Sequence, residues 1–239
     1  MNLYHKQFLG IEDQPPDVEK ARFAILPFPY QGGISYGKGT DLAPDAVLDA
    51  SAYVELYDQV GDFEPYKSGI ITIAPPEVGQ SHQDMFNSIY TNTKELINAG
   101  KFVVVIGGDH SISSGFFKAL QEKYPTLGAV QLDAHSDLRD QYQGSPLSHA
   151  SVMARIREMT RHTLQIGIRS MCVEEADKVK REGIALCTME AFRKKTFDLE
   201  RAIDHLPEHI FITLDVDGLD WSVVRSTGTP EPGGFLWDE

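Results

Sequence analysis

The chain has 239 residues, and its 35 acidic against 22 basic side chains leave a formal charge of −13. Hydrophobic residues at 41% and charged residues at 24% are the proportions of a globular protein large enough to bury a substantial core, which excludes disorder, collagen-like repeats and a coiled coil. A pI near 5.0 repels phosphate backbones and steers small cations inward, so no nucleic-acid partner is expected.

The N-terminal stretch MNLYHKQFLGIEDQ has no basic segment leading into an apolar one, so no secretory leader is read there. Apolar, strand-like runs then recur at 23–28, 69–73, 102–106, 127–132, 164–168, 184–187 and 210–214. Each is apolar on both faces, as a parallel sheet covered by helices requires. The most continuous run, 102–106, is far too short to cross a bilayer, and no membrane partner is expected. Helical stretches are expected from Ala43-Pro44 and over 82–98, 113–123, 149–160 and 172–182. Strands alternating with helices imply right-handed crossovers and a single three-layer α/β/α domain over 1–239, with a doubly wound, mainly parallel sheet. Between the first strand and first helix, PYQGGISYGKGT (29–40) reads as a long loop without phosphate-loop spacing. Two cysteines, Cys172 and Cys187, make no disulfide framework, and a cytoplasmic protein with reduced thiols is the simpler expectation. The ending TGTPEPGGFLWDE reads as a turn entering a helix that is not written, so a C-terminally incomplete domain is expected.

Chemistry concentrates where three strands end. The run 102–106 leads into Gly-Gly-Asp109-His110-Ser111, the run 127–132 into Asp133-Ala-His135-Ser-Asp137, and the run 210–214 into Asp215-Val-Asp217-Gly-Leu-Asp220. Ligands bind outside the carboxyl ends of strands in parallel α/β sheets, so the three clusters should converge. Alternation along extended chain would point Asp133, His135 and Asp137 one way, and likewise Asp215 and Asp217. With His110 these make six donors, four of them aspartates, whose mutual repulsion would cost several kcal/mol without countercharge. Two divalent cations cancel four negative charges, so a two-metal site is inferred. Carboxylates with one histidine per ion suit Mn²⁺, although affinity order alone favours zinc. Any one cluster alone reads more simply as a cap, a solvated loop or a satisfied core histidine; three in one sheet do not.

GGDHSIS, DAHSD and DVDGLD, in this order and at these separations, resemble the ureohydrolases, arginase and agmatinase among them. LQIGIRS (164–170) and TGTPEPGG (227–234) look more like agmatinase. The resemblance implies an arginase-like fold and two Mn²⁺ per chain, with His110 on one ion, His135 on the other, Asp133 and Asp215 touching both, Asp137 on the first and Asp217 on the second. Asp109 and Asp220 would orient ligands or fix loops. It further implies attack of a metal-bridging hydroxide on a guanidinium carbon, with Asp137 handling its proton and His149, in SPLSHAS, relaying protons to solvent. From the residues alone, His149 is equally readable as a helix cap or a surface group. The partner implied is a small cationic guanidinium substrate, and the assembly a homo-oligomer, trimer or hexamer.

Agmatine, giving putrescine and urea, is the expected substrate, because LRDQYQGSPL (138–147) does not match arginase's pattern for holding an α-carboxylate. Arg139 cuts the other way unless Asp140 neutralises it, and leaves guanidinobutyrate open. Arginine, formiminoglutamate, a related amide deacetylase chemistry and a truncated non-catalytic metal-binding chain are the alternatives. Trp221 stands where the family has proline. The family's last strand and helices, with a glutamate that binds guanidinium, have no match, and Glu231 and Glu239 do not take that position.

Overall fold

The computed structural model describes residues 1–11 and 17–239. By internal contacts these divide into two compact units, Met1–Gly32 with Gly39–Asp109, and Gly33–Lys38 with His110–Glu239.

The first unit carries β1 (Phe23–Phe28), α1 (Ala43–Ser51), β2 (Ile70–Thr72), α2 (His82–Asn98) and β3 (Phe102–Gly107). Its three strands pair in parallel in the order β2-β1-β3. Pro44 opens α1 where its missing N–H costs nothing. Ser81 and Asp84 close a reciprocal capping box at the start of α2. Leu26, Phe28, Ile71, Met85 and Ile89 are fully buried and form the core of this unit.

The second unit holds α3 (Ile112–Lys123), β4 (Leu127–Leu132), α4 (Val152–Met159), β5 (Thr163–Ile168), α5 (Val173–Glu182), β6 (Ala185–Thr188), α6 (Met189–Arg193), α7 (Leu199–Asp204) and β7 (His209–Leu214). Its strands are again all parallel, in the order β6-β5-β4-β7. Phe116 and Phe117 of α3 meet Phe211 of β7 edge-on. Leu164, Ile166, Cys187, Met189 and Phe235 make a separate buried cluster, so apolar packing occurs on both sheet faces. Burying a side chain such as Phe117 completely contributes roughly 1.5–3 kcal/mol. Cys187 is a core residue, and Cys172 is the residue before α5, whose end is set by Gly183 in the left-handed conformation.

The seven expected strands all form, within a residue or two of their expected ends. Two short helices, α6 and α7, were not readable from periodicity because each is too short to repeat a hydrophobic face. The stretch 149–160 is a 3₁₀ turn, His149–Ser151, followed by α4 rather than one helix. Two strands are not buried on both faces: Phe102 and Val104 of β3, and Ile210, Ile212 and Leu214 of β7, are exposed. β3 and β7 are edge strands of their sheets, which is why their apolar residues lack cover. Among the described residues no helix is long and apolar enough to cross a membrane.

Candidate metal centre

Six side chains that the sequence singled out meet in the second unit. His110 stands just before α3, and its Nδ1 lies 2.9 Å from Asp137 Oδ2, 3.3 Å from Asp133 Oδ2 and 3.5 Å from Asp215 Oδ2. His135 Nδ1 lies 3.2 Å from Asp217 Oδ2 and 3.6 Å from Asp133 Oδ1. Asp133 thus offers one oxygen to each histidine. Two donor groups follow, His110–Asp133–Asp137 and Asp133–His135–Asp217, each compact enough to hold one ion. Asp215 adjoins the first group through His110.

The way these residues converge differs from the expectation of extended alternation. β4 stops at Leu132 and β7 at Leu214, so both acidic clusters lie beyond the ladder. Asp137 sits in the left-handed region at φ 50°. Asp215 caps the 3₁₀ turn Val216–Gly218, its side chain accepting from the Asp217 amide. Turns rather than strand pleat aim the donors. Gly218 lets that turn pack closely: a Cβ there would come within 3.1 Å of the Asp133 backbone nitrogen, a tight approach.

Strong outer contacts hold the donors, and none was foreseen from sequence. His110 Nε2 is 2.9 Å from Thr213 Oγ1, which also meets Ser113 Oγ at 2.9 Å. That contact fixes the ring so that Nδ1 faces the carboxylates. Buried Gln131 donates from Nε2 to Asp133 Oδ2 at 2.8 Å, and Gln165 donates to Gln131 Oε1 and to the Ser136 carbonyl. Glu175, 4% exposed, accepts from Ser136 Oγ and the Leu138 amide through Oε1 and from the Cys172 amide through Oε2. The available signal was polar residues inside apolar strands, as in LGAVQL, TLQIGI and HIFITL.

Electrostatics fits this donor set to cations. Burial works against charge on His110, yet Asp137, Asp133 and Asp215 hold its imidazole up at about 10. Burial likewise opposes charge on His135, but Asp133 and Asp217 raise it to about 11. Burial pushes the Asp133 carboxyl well above the ordinary range, with Asp137 and Asp215 adding to it. Burial also raises Asp137, against the pull of His110, and with the charge of Asp217 it lifts Asp215 to about 6. Asp217 alone goes down, because the hydrogen bond and charge of His135 outweigh its burial. A cluster that draws protons this strongly lacks positive charge, which two divalent cations would provide in the protons' place.

Residues 21–239 match the Arginase family. The chain belongs to that family. It is 36% identical over 242 residues to the N(1)-aminopropylagmatine ureohydrolase of Synechocystis, a match covering 98% of this chain and 79% of that protein. It is 32% identical over 244 residues to the agmatinase of Pyrococcus horikoshii, covering all of this chain and 83% of that one. The crystal structure of agmatine ureohydrolase from Thermoplasma volcanium superposes with a TM-score of 0.87 at 26% identity, covering 98% of this chain and 78% of that chain. The arginase-like α/β fold expected from the motifs is therefore present, and so is the ureohydrolase character, hydrolysis at an amidino C–N bond.

Other singled-out residues also have definite places in this arginase-family chain. His149 does not cap a helix. Its Nε2 lies 2.9 Å from Ser35 Oγ, and its ring meets Tyr142 edge-on at 5.4 Å. Asp220 fixes a loop, accepting from the Gly233 and Gly234 amides through Oδ2. Asp109 is buried in the first unit, where its charge adds to the burial that lifts Tyr30 to about 12. Asp140 does not neutralise Arg139: it faces Lys178 at 3.0 Å, while Arg139 Nε lies 3.9 Å from Glu175 and its guanidinium stacks over Tyr142. Trp221 is half-exposed and donates to the Arg225 carbonyl.

Proposed function

We propose that this chain hydrolyses a guanidinium compound with a cationic polyamine tail, agmatine or N(1)-aminopropylagmatine, to urea and the corresponding amine. A pair of Mn²⁺ ions would be its cofactor, one held by His110 and Asp137, the other by His135 and Asp217, with Asp133 and Asp215 serving the pair. The observation that carries this reading is the sharing of the Asp133 carboxylate between two histidines, each of which also faces a second aspartate. The names of the Synechocystis and Pyrococcus relatives support the substrate class. The net charge of −13 favours a cationic ligand over a zwitterionic or anionic one. Glu175 beside Arg139 offsets the charge that had left a carboxylate-bearing substrate open.

Bound together, two divalent cations acidify water toward neutral pH and stabilise negative charge developing on the attacked carbon's substituents. The protein then has three tasks. Thr213 and the carboxylates hold the imidazole faces in place. A carboxylate oxygen of Asp137 accepts a proton from the attacking water and returns it to the leaving nitrogen. His149, held at Nε2 by Ser35, exchanges protons with solvent, a role that an imidazole can fill because each ring nitrogen can give or take a proton.

The test is urea release from Mn²⁺-loaded protein offered agmatine, N(1)-aminopropylagmatine, arginine and 4-guanidinobutyrate in parallel. Urea from one or both polyamine precursors, with little from the other two, is expected. Two bound ions with no urea from any of the four would replace this reading with a metal-binding chain that does not turn over.

A further inference from the structure

Arg169 immediately follows β5, and its side chain has an unusual set of partners. Its Nη2 donates to the carbonyls of Asp217 at 2.5 Å and Glu231 at 2.8 Å. Its Nε donates to Pro232 at 3.1 Å and Glu231 at 3.3 Å. Its Nη1 donates to Gly167 at 3.1 Å and Gly218 at 3.4 Å. Every nitrogen of the guanidinium therefore serves main-chain carbonyls, and its own backbone amide donates to Ala134 at 2.8 Å. An arginine committed to five carbonyls from three segments is a mechanical joint, because only a planar fork of donors can reach them together.

Apart from Gly167, next to Arg169 itself on β5, the segments that its side chain and backbone amide join all belong to the same donor group. Ala134 lies between Asp133 and His135, and its amide donates to Asp217 Oδ1 at 3.2 Å. Asp217 and Gly218 form the turn that presents the Asp217 carboxylate. The third segment runs from Thr229, whose Oγ1 donates to Asp217 Oδ2 at 3.2 Å, to Glu231, whose Oε1 lies 3.8 Å from His135 Nε2. His135 therefore has a carboxylate on each side of its ring: Asp217 at Nδ1 and Glu231 at Nε2. A carboxylate behind a ligating histidine fixes its tautomer and orientation and strengthens it as a donor. None of these contacts reaches the His110–Asp137 pair.

We propose that Arg169 is a positioning residue dedicated to the Asp133–His135–Asp217 cation position, and that Glu231, held by Arg169 through its carbonyl, braces the far side of His135. The inference rests on the proposed reading that this group binds a cation.

Mn²⁺ titrations of wild type, Arg169→Lys, Arg169→Met and Glu231→Gln test it, read by equilibrium dialysis and by electron paramagnetic resonance. Wild type should bind two ions and show an exchange-coupled pair. Both Arg169 variants should keep one ion at wild-type affinity and bind the other roughly 10- to 100-fold more weakly, losing the coupled signal at stoichiometric metal. Glu231→Gln should weaken the same ion by about tenfold. Lysine should not rescue, since it keeps the charge and loses the fork. Two ions at wild-type affinity in every variant would overturn the brace and leave the two-ion reading standing. Equal weakening of both ions would also overturn it, as the mark of a general structural role. A wild type that binds fewer than two ions would defeat the two-ion reading first, and the brace with it. Should Arg169→Met not fold, Arg169→Lys and Glu231→Gln carry the comparison.

Discussion

His149 shows how a single side chain acquires a role from its setting. It stands outside the six-donor cluster, held by Ser35 Oγ at 2.9 Å and flanked by the Tyr142 ring. A proton on its ring would pull down the Asp137 carboxyl, the group proposed to move protons during turnover. Replacing His149 by asparagine keeps a polar side chain there but removes a group that can titrate near neutral pH. The expected outcome is unchanged Mn²⁺ stoichiometry with turnover down by about 100-fold or more, since general acid–base groups commonly contribute 10²–10⁴. Wild-type turnover in a fully loaded His149→Asn protein would remove the residue from the reaction. At this scale the six donors were visible in the sequence, because acids and histidines clustered after apolar strands are conspicuous, whereas His149 was singled out only by the family resemblance. Thr213, Gln165, Glu175 and Arg169 were not, because each meets a partner distant in sequence, and Gln131 was not, because it is a lone polar residue inside an apolar strand. His110 and Thr213, for example, are 103 residues apart.

Among the elements, α5 does most to shape the site. Glu175 in its first turn accepts from Cys172, Ser136 and Leu138, and so ties the start of the helix to the loop between His135 and Arg139. That loop contains Asp137 in the left-handed region, a conformation that surrounding contacts must impose. The Asp137 carbonyl in turn accepts from Ala154 of α4. Glu175→Ala strands the buried Leu138 amide and Ser136 hydroxyl and removes the helix cap. The expected loss is about 2–4 kcal/mol in chemical denaturation, with Glu175→Gln intermediate because the amide keeps one acceptor oxygen. A change under ~0.5 kcal/mol for alanine would show that water replaces these bonds. The strands themselves were legible from apolar runs of four to six residues. What the runs did not reveal was how their ends turn. Alternation along an extended chain would align Asp215 with Asp217, whereas a 3₁₀ turn brings the Asp217 amide onto the Asp215 carboxylate.

Across the whole molecule, charge links the site to stability. Thirteen excess negative charges already oppose compaction, and the donor cluster adds a local term whose sign can be worked out. The folded-state values of His110, about 10, and His135, about 11, stand above the ordinary imidazole value near 6.5. Their contribution is complete below about pH 6.5 and is lost as pH rises through those raised values, because the folded chain then binds more protons than the unfolded one. Asp215, lifted to about 6, and the raised Asp133 and Asp137 act with the same sign at lower pH, their contributions falling as pH rises above the usual carboxylate value. Asp217, lowered, works in the opposite direction and loses its contribution only in acid. Metal-stripped protein should therefore melt at a lower temperature at pH 9 than at pH 6.5. Saturating Mn²⁺ substitutes for the protons and should flatten or reverse that slope, since cation binding favours the deprotonated donors and adds its own free energy to the folded state. Thermal melts of chelator-treated and Mn²⁺-loaded protein across that interval measure the difference directly. Identical slopes with and without metal would mean that the six donors do not exchange protons for cations, and the two-ion assignment would then lose its electrostatic basis.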